Sequence, residues 1–399
     1  MSIFTAHPSL RWGVPAAAAA VVALAAVIPS GADASAPLPP RTAEQLLVDV
    51  QNARLDGLSG TVVQTANLGL PDLSGLVGAG HGGGTSGSSD LTSLVTGSHT
   101  LRVWYSGTDK QRIALLGSLG ESDIIHNGSD LWVWSSQDNT ATHYTVTPPP
   151  NGGDRPDPVP GVVPATPGEA ASQALAAIDP STRVSTDGSA TIAGRAAYEL
   201  VLTPRDRASL VAQVRIAVDA ETRIPLRVQV FSTKISDPAL EVGFTQVDFS
   251  VPEDRQFEFN APPGTTVTEA DLADAEHAGP AQGTGQLPPP NAPAPGAHPE
   301  PTVVGEGWTS VMVATMPTAS PQDPATADPA TKPGVDDPAG PRELAQLQGI
   351  VDQLPEVSGS WGSGRLLEGT LFSAVITDDG RVAVGAVTPQ RLYQALGAA

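Results

Sequence analysis

Leu101-Arg102-Val103-Trp104-Tyr105 and, thirty residues on, Leu131-Trp132-Val133-Trp134 are the stretches whose reading decides the fold. In both, residues alternate with period two, the signature of a β-strand. Between them lie Ser106-Gly107-Thr108-Asp109 and Asn127-Gly128-Ser129-Asp130, and Asn-Gly is a strong hairpin signal because both residues tolerate positive φ. Residues 101–146 therefore read as an antiparallel meander. Its two faces are both apolar, aliphatic on one and tryptophan-bearing on the other, whereas a sheet packed on one side only would carry polar residues on its second face. Something apolar is expected to cover each.

Outward from the meander, the chain is long enough for two domains at 399 residues, but 41 Gly and 39 Pro keep much of it from regular structure. A net charge of −21 and the lack of any Lys/Arg cluster exclude a nucleic-acid footprint. With no cysteine there is no disulfide, thiolate metal site, cysteine nucleophile or lipidated N-terminal cysteine.

Val14 to Ile28 is an Ala/Val-rich run interrupted only by Pro15, preceded by Arg11 and followed by Ala32-Asp33-Ala34 and Ala34-Ser35-Ala36. This pattern predicts an export signal spanning residues 1–36. About 15 apolar residues is short for a membrane span of ~20, which favours cleavage over retention as an anchor through residues 14–28. The expected location is extracytoplasmic, in the cell envelope or secreted.

Thr42-Ala43-Glu44-Gln45 is a capping box that starts a helix running to about Arg54, and Gly60 to Leu68 reads as the first strand. Gly78, Gly80 and Gly83 match a GxGxxG spacing, but in a Gly/Ser-rich loop without strand or helix context the match carries no phosphate-binding meaning. Thr166-Pro167-Gly168-Glu169 opens a second helix, Ala170 to Ile178. A second set of strands follows from Thr191: Tyr198 to Leu202, Val214 to Val218, Leu226 to Phe231 and Glu241 to Phe249, closing near Ala270. Residues 271–300 form an acidic Pro-rich linker. Residues 301–399 are expected to be a small α+β domain. Its strands are Thr302 to Met316 and the hairpin Leu371 to Ile376 with Arg381 to Val387; its helices are Arg342 to Leu354 and Pro389 to Leu396, and a disordered insertion occupies 318–338.

Enzyme signatures are missing: no P-loop, HExxH, GxSxG or EF-hand loop occurs, and no enzymatic activity, metal or cofactor is expected. His99, His126 and His143 lie in or beside the meander, where single histidines at strand ends are ordinarily surface residues. Trp104, Trp132 and Trp134 either line a ligand cavity or fill a core, and composition alone favours the core.

The order helix, strand, meander, Pro-rich crossing, helix and strands is punctuated by Asp219-x-x-Thr222-x-x-Pro225-Leu226 and closed by Phe257-x-Phe259-x-x-Pro262-x-Gly264. Over residues 41–270 it resembles the LolA-like superfamily, which includes the periplasmic lipoprotein carrier and the N-terminal domain of the RseB/MucB regulators of an envelope-stress sigma factor. The stretch from Val303 to Val311, the hairpin ending Gly385-Ala386-Val387 and the final helix resemble in outline the second domain of the RseB/MucB proteins. The lack of cysteine and the long acidic excursions bring the chain nearest to the LolA-family proteins of GC-rich Gram-positive bacteria.

The resemblance implies a half-open antiparallel β-barrel with a helical lid, followed by the small α+β domain. It also implies an apolar cavity for an acyl chain of a lipid or lipoprotein, with Trp104, Trp132, Trp134, Ile216, Val228, Val230 and Phe244 as wall candidates. Parity does not decide whether the tryptophans or Leu101, Val103 and Val133 face inward. A carrier-like binding protein is the first functional reading. An envelope-stress sensor contacting an anti-sigma factor in the membrane is the alternative.

Overall fold

The computed structural model describes residues 38–69, 97–117, 120–145, 166–271, 301–315 and 351–398. The leader, the Gly/Ser-rich loop, residues 146–165 of the Pro-rich crossing, the 272–300 linker, the 318–338 excursion and most of the helix read at Arg342 to Leu354 lie outside these residues. The chain forms two compact units.

The first unit begins with helix α1 (Ala43–Asn52), whose N-cap Thr42 accepts a hydrogen bond from the Gln45 amide while the Gln45 side chain returns to the Thr42 amide. Both halves of the capping box are thus made. Strand β1 (Leu58–Ala66) leads into the meander β2 (Gly97–Tyr105), β3 (Lys110–Leu116), β4 (Glu121–Asn127), β5 (Asp130–Ser135) and β6 (Thr140–Thr145). The β4–β5 hairpin is closed by Gly128-Ser129, with Gly128 at a φ of 65°. Asn127 pairs with Asp130 inside the strands, so the glycine takes the first loop position, where positive φ is demanded.

Helix α2 (Pro167–Ala176) is capped by Thr166, which accepts from the Glu169 amide at 3.0 Å. Then come β7 (Thr182–Ile192), β8 (Arg195–Pro204), β9 (Val211–Asp219), β10 (Pro225–Ser232), β11 (Pro238–Asp248) and, after a 3-10 turn at Asp254–Phe257, β12 (Thr266–Asp271). The twelve strands form one open sheet in the order β12-β6-β5-β4-β3-β2-β1-β11-β10-β9-β8-β7. Its edges, β12 and β7, are not paired with each other.

Two expectations change here. Every neighbouring pair is antiparallel except β12 with β6, which is parallel, because the chain leaving β11 crosses to the far edge before adding its last strand. The second strand set starts at Thr182 rather than Thr191; β7 is an exposed edge strand and lacks the apolar alternation that would have marked its first half.

The second unit holds a six-stranded sheet ordered β13-β14-β18-β17-β16-β15, built from β13 (Thr302–Val304), β14 (Val311–Thr315), β15 (Glu356–Gly359), β16 (Gly362–Glu368), β17 (Ser373–Thr377) and β18 (Arg381–Gly385). Helix α3 (Pro389–Leu396) packs on one face, where Leu392, Ala395 and Leu396 join Val311, Val313, Leu366, Val375 and Ala383 in a single core. The β15–β16 hairpin was not legible in the sequence. Its Gly359, Gly362 and Gly364 dilute the alternation; Gly364 is glycine of necessity, since a Cβ there would lie 2.3 Å from the Ile376 carbonyl oxygen.

Candidate binding faces of the twelve-stranded sheet

Cross-strand register assigns each side chain to one of two faces. Starting from Leu101, the pairs Leu101 with Leu115 and Val62, Val103 with Ile113, Ile113 with Ile124, and Ile124 with Val133 lie on the same side of the meander. Through β1 that side continues from Val62 to Phe244, and then along β11 to Val242, which faces Val228, which faces Ile216, which faces Leu200. Val230 stands beside Val214 and Leu240 on the same side. One aliphatic face therefore runs through the sheet from β5 to β8. Leu101, Val103, Ile216, Val228 and Phe244 are buried on it, and Val133 and Val230 are half-buried.

The join between the meander and the second strand set depends on a bulge in β11, where Thr245 is passed over between the pairs Thr61 with Gln246 and Val62 with Phe244. There Gly60 lets two chains approach: a Cβ at Gly60 would stand 2.6 Å from the Gln246 carbonyl oxygen and 3.0 Å from the Phe244 ring. The missing side chain is what allows Phe244 to lie in the aliphatic row.

On β8 to β11 the opposite face is polar. Glu199 accepts from Arg215 and from Arg227 at 3.0 Å each, Arg215 also meets Asp187 at 2.9 Å, and Gln229 donates to Glu241 at 2.6 Å. Helix α2 packs against β10 and β11 with Ala170, Ala171, Ala174 and Leu175 buried. With charge on one side of these strands, its apolar stripe belongs on the aliphatic side.

Over the meander the opposite face is aromatic. Trp104, Arg112, Ile125, Trp132 and His143 form one row across β2 to β6, and Arg102, Ala114, Asp123, Trp134 and Ala141 the next. Trp132 stacks on His143 at 4.2 Å and on Phe259 at 4.7 Å between centroids; Trp134 lies 6.4 Å from Phe259. The Arg112 guanidinium sits 5.2 Å from the Trp104 ring centroid.

This register corrects the single list of wall candidates. Trp104, Trp132 and Trp134 occupy the face opposite to Ile216, Val228, Val230 and Phe244, so the seven do not line one space. The residues that continue Val228 and Phe244 into the meander are Leu101, Val103 and Val133.

Two charged constellations support the aromatic face. Asp123 is buried, takes a very short hydrogen bond from Arg112, and is pushed up to about 7, chiefly by burial and against the pull of Arg112. His143 joins Asp130 through Nε2 at 2.8 Å and Glu269 of β12 through Nδ1 at 2.7 Å. Burial works to lower the His143 pKa, but the two carboxylates together raise it.

The three meander histidines are not brought together. His99 pairs with Gln64, His126 faces Leu131 on the aliphatic side with Nε2 2.9 Å from the Gly128 carbonyl, and His143 is on the aromatic side. Among the described residues no group of His, Asp and Glu is arranged to hold a metal ion. Arg112, Asp123 and Glu269 went unread as part of this face because strand parity places them only once the meander's register is known.

The Asp219 motif has a geometric explanation. Asp219 Oδ2 accepts from the Thr222 amide at 2.7 Å, the Glu221 amide at 3.1 Å and the Thr222 hydroxyl at 2.9 Å, while Arg195 Nε reaches Oδ1 at 2.6 Å. The motif builds the β9–β10 turn, in which Arg223 takes a φ of 66°.

No family model matches the chain, and no curated protein matches it. Similar solved structures include the complex of Pseudomonas aeruginosa MucA and MucB, at 15% identity and a TM-score of 0.40, covering 89% of this chain and 96% of that chain. They also include a DUF1329 family protein from Desulfovibrio piger, at 10% identity and a TM-score of 0.22, over 54% of this chain and 94% of that one. A LolA-superfamily protein from Nitrosomonas europaea is similar at 13% identity and a TM-score of 0.21, over 55% of this chain and 99% of that one. Structures similar to this chain thus include MucB and a LolA-superfamily protein, the grouping its sequence resembles.

Proposed function

We propose that this protein is an exported, non-enzymatic binding protein that shelters an acyl chain of a lipid or lipoprotein against the aliphatic face of the twelve-stranded sheet. The observation that carries this reading is the continuity of that face from β5 to β8, set against the polar reverse side of β8 to β11. Each methylene removed from water contributes about 0.8 kcal/mol, so a long chain is held without any specific polar motif. Helix α2, on the aliphatic side, takes the part of a lid that moves as the chain enters.

A regulatory reading is favoured by one feature: the six-stranded second unit has its own core, which a simple acyl carrier does not require. In that reading the same face senses an acyl ligand, and the protein contacts a membrane protein of the envelope, an anti-sigma factor by the resemblance. MucB itself is solved in complex with MucA.

The test is mass spectrometry of lipid extracted from the purified full-length chain, alongside the Val230→Asp and Phe244→Asp variants. Val230 is half-buried and tolerates a charge better than Val228. Co-purifying acyl lipid that is lost in variants with unchanged far-UV circular dichroism supports the proposal. Folded variants that keep the lipid of the wild type refute it.

A further inference from the structure

The six-stranded sheet of the second unit is apolar on both faces. Helix α3 covers the side that carries Val311, Val313, Val375 and Ala383. On the other side the register sets Val303 of β13, Met312, Val384, Ala374 and Leu367 of β16 in one row, with Val382 and Ile376 in the next. A sheet with one face in water alternates apolar with polar residues, so this second face is built to be covered. Its exposure is graded: Val303 and Met312 are 64% and 45% exposed, whereas Val384, Ala374 and Leu367 are half-buried. The cover therefore belongs over β18 to β16 rather than at the β13 edge.

Topology says what crosses there. Successive pairs from β14 through β18, β17 and β16 to β15 are all antiparallel, so β14 and β15 run the same way. A connection between parallel strands of one sheet is right-handed in nearly all folds. The Asp378 amide donates to the Ser363 carbonyl, and Asp378 shares the parity of Ile376. For L-residues, this bond direction puts β16, and β15 beyond it, to the right of an upward β17 when the Ile376 side faces the viewer. Strands β14 and β15 then run upward too, and a right-handed connection between them passes in front of that face.

The connection also ends on this side. The Leu354 carbonyl accepts from Arg365 Nη1 at 3.0 Å, and Arg365 stands opposite Ile376. A cation at the carbonyls that close a helical turn is a favourable arrangement. Val351 and Leu354 are half-buried while Asp352 and Gln353 are exposed, and Leu344 and Leu347 continue the same stripe backwards at helical spacing. A helix from residue 342 to 354 is about 20 Å long, and the four gaps from β14 to β15 span about 19 Å.

We infer that residues 342–350 dock as an amphipathic helix on the Val384 and Ala374 face of the second sheet, with Leu344 and Leu347 turned toward it. The inference concerns the second unit alone and stands apart from the acyl-binding reading.

The chain has no cysteine, so single introduced thiols report accessibility cleanly. Val384→Cys and Val303→Cys are made separately in the full-length protein and labelled with a maleimide. Val384→Cys is expected to react at least about tenfold more slowly than Val303→Cys, since a covered thiol reacts only through local opening. Adding Leu344→Asp and Leu347→Asp to Val384→Cys is expected to bring its rate close to that of Val303→Cys, with cooperative urea unfolding retained. Hydrogen exchange of the wild type is expected to show protected amides across residues 342–350, a readout that does not depend on any variant folding. Equal rates for the two thiols overturn the inference, as does a slow Val384→Cys rate that the two aspartates leave unchanged. Protection that fades on dilution would place a second copy of the chain on this face, and unprotected amides across 342–350 would leave no helix to cover it; either result overturns the inference too.

Discussion

Replacing Asp219 by alanine removes the centre of the β9–β10 turn, and the consequence is calculable from its contacts. The carboxylate is buried, takes two hydrogen bonds from Arg195 at 2.6 and 2.9 Å, and takes three more from the turn itself. Removing one member of a fully buried ion pair costs about 3–5 kcal/mol. Arg195 retains 27% side-chain exposure and a second partner in Glu221, which lowers the expected loss to about 2–4 kcal/mol. Burial alone would raise the Asp219 pKa; the Arg195 and Thr222 hydrogen bonds override it and hold the group below the usual carboxylate range. A depressed folded pKa means the stabilisation is present above the unfolded value of about 3.9 and is lost as pH falls through the folded one. Urea unfolding of wild type and Asp219→Ala followed by circular dichroism should therefore show the full difference at neutral pH and a smaller one below about pH 4. A difference under about 1 kcal/mol at neutral pH, or one unchanged in acid, would refute the reasoning.

Three further outcomes follow from the contacts. Gly60→Ala should destabilise by about 1–3 kcal/mol, measured by chemical denaturation, because its methyl meets the Gln246 carbonyl at 2.6 Å; a neutral effect would mean the β11 bulge opposite it yields. Thr42→Ala should cost about 1 kcal/mol and speed amide exchange in the first turn of α1, where Gln45 loses its acceptor. His143 has a raised folded pKa, so its pairing with Asp130 and Glu269 contributes stability fully below the unfolded value of about 6.5 and loses it as pH rises through the folded one. Hydrogen exchange of β12 should accelerate over that rise in the wild type, and Glu269→Gln should flatten the dependence.

What the sequence revealed and what it withheld divide along local and non-local lines. The Thr42 capping box, the Thr166 cap, the Gly128 turn and the Asp219 motif are each contained within a few residues, and each has the partners its spacing demands. Alternation in the meander separated tryptophans from aliphatics but left open which set joins Val228 and Phe244. That choice rests on the β1–β11 register, set by a bulge between segments some 180 residues apart: Thr61 pairs with Gln246 and Val62 with Phe244. The parallel addition of β12 to β6 is non-local in the same sense. Strands β7 and β15 were obscured for a different reason: an edge strand buries little, so its side chains carry no apolar period.

The tryptophans lie on the far side of the sheet from the proposed acyl site, so their emission does not report on it directly. Photolabelling does. A fatty acid carrying a diazirine in its chain, irradiated with the full-length protein and mapped by peptide mass spectrometry, should mark aliphatic-face positions such as Leu101, Val103, Val133, Val230 and Phe244. Labels confined to the Trp132 and Phe259 side, or no saturable labelling, would contradict the assignment of that face to an acyl chain.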